Sequence, residues 1–167
     1  EITNYVTFNY AENLWSVGTL DRGAWADAST RTKPLASTVF DGNTDQNYLY
    51  NHEVGHDDDG QAITAFVESG DLEIGDGERF MMLNRIIPDF SFSGETGDAS
   101  MDLTVKGSNY PLETPSTLAT ATVTNNTQAS DIRARARHTV IRVESSGVGY
   151  GWRLGGLRFD MRQDGRR

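Results

Sequence analysis

The chain has 167 residues, of which 37% are hydrophobic and 23% charged, with 17 Gly, 4 Pro and no Cys. That length suits one domain, or one domain with a satellite, and can bury a sizeable core. The absence of cysteine excludes disulfides, thiolate zinc ligands and cysteine nucleophiles, and no apolar run approaches the ~20 residues of a membrane-spanning helix.

The formal charge of −9 is unevenly spread. Residues 1–131 carry 21 acids against 6 Lys or Arg, whereas residues 132–167 carry 9 Arg against Glu144, Asp160 and Asp164. An acidic body repels nucleic acid at long range, so any nucleic-acid contact would be local to the arginine-rich end. The chain opens on Glu1 with neither a basic n-region nor an apolar h-region, a pattern that predicts a fragment or a processed product.

Alternation of apolar and polar residues predicts an all-β fold. Val6, Phe8 and Tyr10 share one face of an opening strand, with Tyr5, Thr7 and Asn9 on the other. Ala11-Glu12-Asn13 then turns the chain into Leu14 to Leu20, which completes a hairpin. A third strand is expected around Trp25 and, after a break at Lys33-Pro34, a fourth from Tyr48 to Val54. Four short antiparallel strands resemble one propeller blade in size, and the acidic stretch His56 to Gly60 marks a boundary. The expected units are therefore residues 1–55, propeller-blade-like, and residues 56–167, β-sandwich-like. In the second unit, strands are expected at Ile63 to Glu68, Arg79 to Ile87, Met101 to Lys106, Ala119 to Thr124, His138 to Glu144 and Trp152 to Met161. Met101, Leu103 and Val105 give its clearest inward face.

His52-Glu53-Val54-Gly55-His56 matches the H-E-x-x-H pattern, in which a helix brings two imidazoles to one zinc and the Glu activates the bound water. The context argues against it. Tyr48-Leu49-Tyr50 reads as a strand, and on a strand the two His would stand roughly 13 Å apart, too far for one ion. The only further histidine is His138, and no metal site is expected here. Asp41-Gly42-Asn43-Thr44-Asp45 resembles the start of a calcium loop, but Gln46 and His52 occupy the positions of the turn glycine and the bidentate Glu. Asp57, Asp58 and Asp59 raise the same question and read more simply as a solvated loop. Gly147-Val148-Gly149-Tyr150-Gly151 lacks a phosphate-loop Lys and a following helix, and reads as a hairpin loop. Acid pairs such as Asp71 with Glu73, or Asp76 with Glu78, lack a supporting pocket signature. Neither a catalytic constellation nor a cofactor is expected.

Arg133-Ala134-Arg135-Ala136-Arg137 is the remaining constellation. On an extended strand, alternation places all three guanidinium groups on one face. Strict alternation would put them on the side of Ile141 and Val143, so either a bulge intervenes near His138 or the strand passes from an outer face into the core. Arg133, Arg135 and Arg137 are the candidate contact residues, facing the chain's own carboxylates, a subunit interface or a nucleic-acid backbone.

Several segments, in order, resemble one family. They are Asn4-Tyr5-Val6 through Asn9-Tyr10, Leu14-Trp15-Ser16-Val17-Gly18-Thr19-Leu20 with Arg22 and Ala24-Trp25, Tyr48-Leu49-Tyr50 with His52-Glu53, Glu68-Ser69-Gly70-Asp71, Gly75-Asp76-Gly77, Ile86-Ile87-Pro88-Asp89-Phe90, Arg133 to Arg137, and Trp152-Arg153-Leu154-Gly155, ending in Asp164-Gly165-Arg166-Arg167. Together they are similar to the C-terminal part of the nozzle, or tail-hub, proteins of short-tailed bacteriophages. The resemblance implies a β-propeller-bearing virion protein, assembled as a ring, usually sixfold, around the channel through which DNA leaves. Residues 1–55 would form a last blade, and the partners would be further copies, other tail proteins and transient DNA, without membrane insertion. His56 departs from the family pattern, and no catalytic residues carry over. The alternative is a β-sandwich module that binds carbohydrate on a host surface through Trp15, Trp25, Tyr48 or Tyr50.

Overall fold

β-Branched and aromatic residues at alternate positions give strands throughout, and the fold is all-β. The computed structural model describes residues 3–39, 47–95 and 97–165. Every strand pairing among them is antiparallel. The chain divides into two compact units, residues 1–54 and 55–167.

In the first unit, β1 (Asn4–Asn9) and β2 (Leu14–Thr19) form the expected hairpin, in register from Asn4 opposite Thr19 to Asn9 opposite Leu14. The Asn9 carboxamide oxygen accepts from the Ala11 and Glu12 amides at 3.1 and 3.3 Å, and Asn13 takes φ 55°, a conformation Asn tolerates in turns. β3 (Trp25–Ala26), β4 (Leu35–Ser37) and β5 (Leu49–Asn51) make a separate sheet in the order β3-β4-β5. The expected break at Lys33-Pro34 is instead the entry to β4. Pro34 stands just ahead of the strand, where its missing N–H costs no ladder bond, and its carbonyl accepts from the His52 amide at 2.9 Å. Among the described residues this unit buries only Pro34 and Ala36.

Among the described residues the second unit contains ten strands. β6 (Ala65–Glu68), β7 (Leu72–Glu73), β10 (Ser100–Ser108), β11 (Ser116–Thr124) and β13 (His138–Ser145) form a five-stranded sheet, ordered β11-β10-β13-β6 with β7 also on β13. β8 (Met81–Ile87), β12 (Ser130–Ala136) and β15 (Arg158–Gln163) form a second sheet in the order β12-β8-β15. β9 (Phe90–Gly94) pairs with β14 (Tyr150–Leu154) in a third. The inner faces of the two larger sheets share one core. Leu103, Val105, Val123 and Ile141 come from the first, and Leu83, Ile86, Ile132 and Ala134 from the second. Fully burying each of the larger aliphatic side chains contributes roughly 1.5–3 kcal/mol.

The two sheets are joined where β12 ends and β13 begins. At Arg137 the strand bends and changes sheets, which resolves the conflict in the alternation: the arginines face outward on one sheet, whereas Ile141 and Val143 face inward on the other. Gly107 makes this approach possible, because a Cβ there would lie 2.6 Å from the Ala136 Cβ and 2.5 Å from Leu118.

Two expectations need correction. The run Trp152 to Met161 is two strands in different sheets, divided at Gly155-Gly156. The Gly155 amide donates to the Asp89 carbonyl at 2.7 Å, and a Cβ at Gly155 would strike the Asp89 carboxylate at 2.4 Å. Likewise, Gly147 to Gly151 is not a hairpin loop, because β13 and β14 do not pair; it carries the chain from one sheet to another. A Cβ at Gly147 would fall on the Tyr150 ring, so this bend needs glycine.

Candidate interaction surfaces

β12 alternates buried Ser130, Ile132, Ala134 and Ala136 with exposed Asp131, Arg133 and Arg135, while Arg137, at the bend, is half-buried. The three guanidinium groups have different surroundings. Arg135 donates through Nε to the Asp164 carboxylate at 2.6 Å, and its guanidinium carbon sits 3.8 Å from the centre of the Phe80 ring. Arg137 donates to the Gly77 and Glu78 carbonyls at 3.3 and 3.0 Å. Arg133 has neither a hydrogen bond nor an ion pair among the described residues. Two of the candidates are thus engaged within the chain, and one is open.

The same face extends across the sheet. Asp131, Arg85 and Asp160 stand in one cross-strand row, and Arg135, Met82 and Arg162 in another. The Asp131 carboxylate, hydrogen-bonded to Arg85 at 2.6 Å, raises the Arg85 pKa above its ordinary value, and Asp160 adds to this electrostatically. On β15, Arg158, Asp160 and Arg162 point outward, while Phe159 and Met161 pack on the core. Arg158 and Arg162, like Arg133, have no hydrogen-bond or ion-pair partner among the described residues. Their period-2 spacing is in the sequence, but the expected strand from Trp152 to Met161 contains Arg158 and stops before Arg162.

The outer face of the five-stranded sheet is charged differently. Glu68 accepts from Lys106 at 2.6 Å and from Arg142 at 3.4 Å, and Arg142 also reaches Glu144 at 2.6 Å and lies over the Phe66 ring at 3.8 Å. The Lys106 hydrogen bond, together with the Lys106 and Arg142 charges, holds the Glu68 carboxyl below its ordinary range against the opposing cost of burial. This is a satisfied network rather than an open one.

The H-E-x-x-H segment has no helix. Glu53 and Gly55 take φ 58° and 75°, left-handed values that a helix does not contain, and His52 and His56 belong to different units. His52 stacks on Trp25 with centroids 4.5 Å apart. The His56 ring lies against the glycine positions of the β9–β14 pair, where a Cβ at Gly94 or Gly151 would come within 2.6 and 2.8 Å of it. Asp57 accepts from the Gly149 amide, and Asp58 forms a backbone bridge with Gln61. His138 pairs with Glu73 at 3.1 Å beneath Gly77. Among the described residues no group of three or more His, Asp or Glu is placed to hold a metal. The Asp41 to Asp45 loop lies outside the described residues.

The other open surface is apolar. On β1–β2, Val6 faces Val17 and Phe8 faces Trp15 across the strands, so four large apolar side chains share one face of the ribbon. Phe8 and Trp15 stack at 4.5 Å, yet Val6, Trp15 and Val17 are 64%, 70% and 78% exposed. On the opposite face the Tyr5 ring covers Gly18. Trp25 and Tyr48 are also exposed, whereas Tyr50 is half-buried beneath the Arg22 guanidinium. An apolar face of this kind belongs against another surface.

The chain matches no family model and no curated protein sequence.

Proposed function

We propose that this chain is a non-enzymatic structural component of a short-tailed phage tail. In this reading it is a nozzle or hub subunit that assembles with copies of itself into a ring, usually sixfold, around the DNA exit channel of the virion. The ordered segments from Asn4 to Arg167 that resemble that family support the identity. The observation that carries the assembly role is the uncovered face of β1–β2: Val6, Phe8, Trp15 and Val17 line up exposed, in a unit whose described residues bury only Pro34 and Ala36. A two-stranded ribbon is marginal by itself in water and gains stability when its apolar face is covered. Other tail proteins and transient DNA are the further partners in this reading. No residue is assigned a catalytic role.

Negative-stain electron microscopy of the purified chain at micromolar concentration tests the proposal. Closed rings with a central opening are expected, and single particles of monomer size at every concentration would overturn it.

One observation favours a second reading. Trp15, Trp25 and Tyr48 present exposed rings, as a module that binds host-surface carbohydrate requires. Quenching or blue-shifting of tryptophan fluorescence by oligosaccharides, abolished in Trp25→Ala, would establish that reading; an unchanged spectrum across a panel of bacterial surface glycans would remove it.

A further inference from the structure

The outer face of the β12-β8-β15 sheet carries Arg85, Arg133, Arg135, Arg158 and Arg162 against Asp131, Asp160 and Asp164. Five cations and three anions leave +2 on this face, so the rest of a chain of net charge −9 carries −11. The charges are also unequal in availability. Asp131 is bound by Arg85 and Asp164 by Arg135, while Arg133, Arg158 and Arg162 have no hydrogen bond or ion pair among the described residues. β12 and β15 flank β8, which puts Arg133 about 10 Å from the β15 pair, and Arg158 and Arg162 stand about 13 Å apart along their strand.

We infer that this face is the docking surface for the acidic surface of a second copy of the chain. Two features select that partner. Asp131 and Asp160 lie among the arginines, and a phosphodiester track crossing the face would meet both carboxylates; a folded protein surface of mixed but mainly acidic charge meets the open guanidinium groups and leaves the carboxylates to Arg85. This chain supplies such a surface in every copy. Two cationic faces related by a twofold axis would repel, so the contact joins unlike surfaces, head to tail. Contacts of that type close into rings when the rotation permits. The inference rests on the self-assembly proposed above and names one of its contacts. Guanidinium forks suit carboxylate pairing, and complementary charge fixes register and steers encounter.

Sedimentation velocity of the full chain tests this. Self-association is expected to weaken at least ~10-fold between about 50 and 500 mM NaCl, and a further ~10-fold in R133E/R158E/R162E, in which three rim charges lose their pairing and then repel. R133Q/R158Q/R162Q, which removes charge without reversing it, gives a smaller loss in the same direction and serves if the reversed variant loses its β-sheet circular dichroism. Association that is unchanged in both variants overturns the inference and leaves the assembly proposal standing. A wild-type chain that stays monomeric at both salt concentrations overturns both. Salt-sensitive binding of a duplex DNA oligonucleotide that both variants abolish, with self-association unchanged, assigns the face to nucleic acid instead.

Discussion

Val17→Thr separates the stability of the chain from its assembly. Val17 lies on β2 opposite Val6 and is 78% exposed. Threonine is also β-branched and keeps the strand preference. At a site this exposed, a conservative substitution shifts folding stability by less than ~0.5 kcal/mol. Once the apolar face is covered by a partner, the same substitution places a hydroxyl where it has no acceptor on Val6, Phe8 or Trp15. Burying a hydroxyl without a hydrogen bond costs about 1–3 kcal/mol, and at 1.4 kcal/mol per factor of ten this weakens association ~5- to ~140-fold. Thermal circular dichroism should therefore superimpose for the two proteins, while sedimentation equilibrium shows the variant shifted toward monomer. Unchanged association would refute the reasoning. So would a large loss of melting temperature at a concentration where both proteins are monomeric, because it would mean the face is packed within a single chain.

Other substitutions test the second unit. Leu103 is fully buried between the two large sheets, and Leu103→Ala should cost about 2–5 kcal/mol in urea unfolding through the cavity it leaves. Gly107→Val should cost about 1–3 kcal/mol by pushing apart Ala136 and Leu118 where the chain changes sheets; wild-type stability in that variant would show that the close approach is not required. The Glu68 carboxyl is held below its ordinary value by Lys106 and Arg142. Its contribution to stability is therefore fully present above about pH 4.3, the ordinary value, and is lost as pH falls through the depressed folded-state value. Glu68→Gln should flatten the acid limb of stability against pH and leave the neutral limb parallel to wild type.

Much of the fold was legible in residue alternation. Met101, Leu103 and Val105 were readable as an inward face because period 2 is unbroken there, and the Ala11 to Asn13 turn because Asn tolerates positive φ. The rest failed where neighbouring signals overlapped. Trp152, Leu154, Leu157, Phe159 and Met161 form a nearly continuous apolar series, so the Gly155-Gly156 break was hidden within it. β9 is not among the expected strands because Ser93-Gly94 has the composition of a turn, although Phe90 and Phe92 alternate and pair with Leu154 and Trp152. β4 was masked by Pro34, which breaks a central strand but is tolerated at a strand start.

The surfaces were legible to different degrees. The outward row of Arg133 and Arg135 follows directly from the Arg-Ala alternation. That Arg135 and Arg137 find partners at Asp164, Gly77 and Glu78, while Arg158 and Arg162 stay open, depends on contacts 29 to 60 residues apart that no local pattern encodes. The apolar face of β1–β2 shows the converse. Alternation placed Val6 and Phe8 together, but a buried and a bare face have the same sequence pattern, and only the folded chain shows this one uncovered.

Native mass spectrometry of the chain across a concentration series tests the central claim most directly. The account predicts one closed oligomer, with six copies as the expected count, whose population falls in Val17→Thr. A monomer at every concentration, with wild type and Val17→Thr indistinguishable, would contradict it.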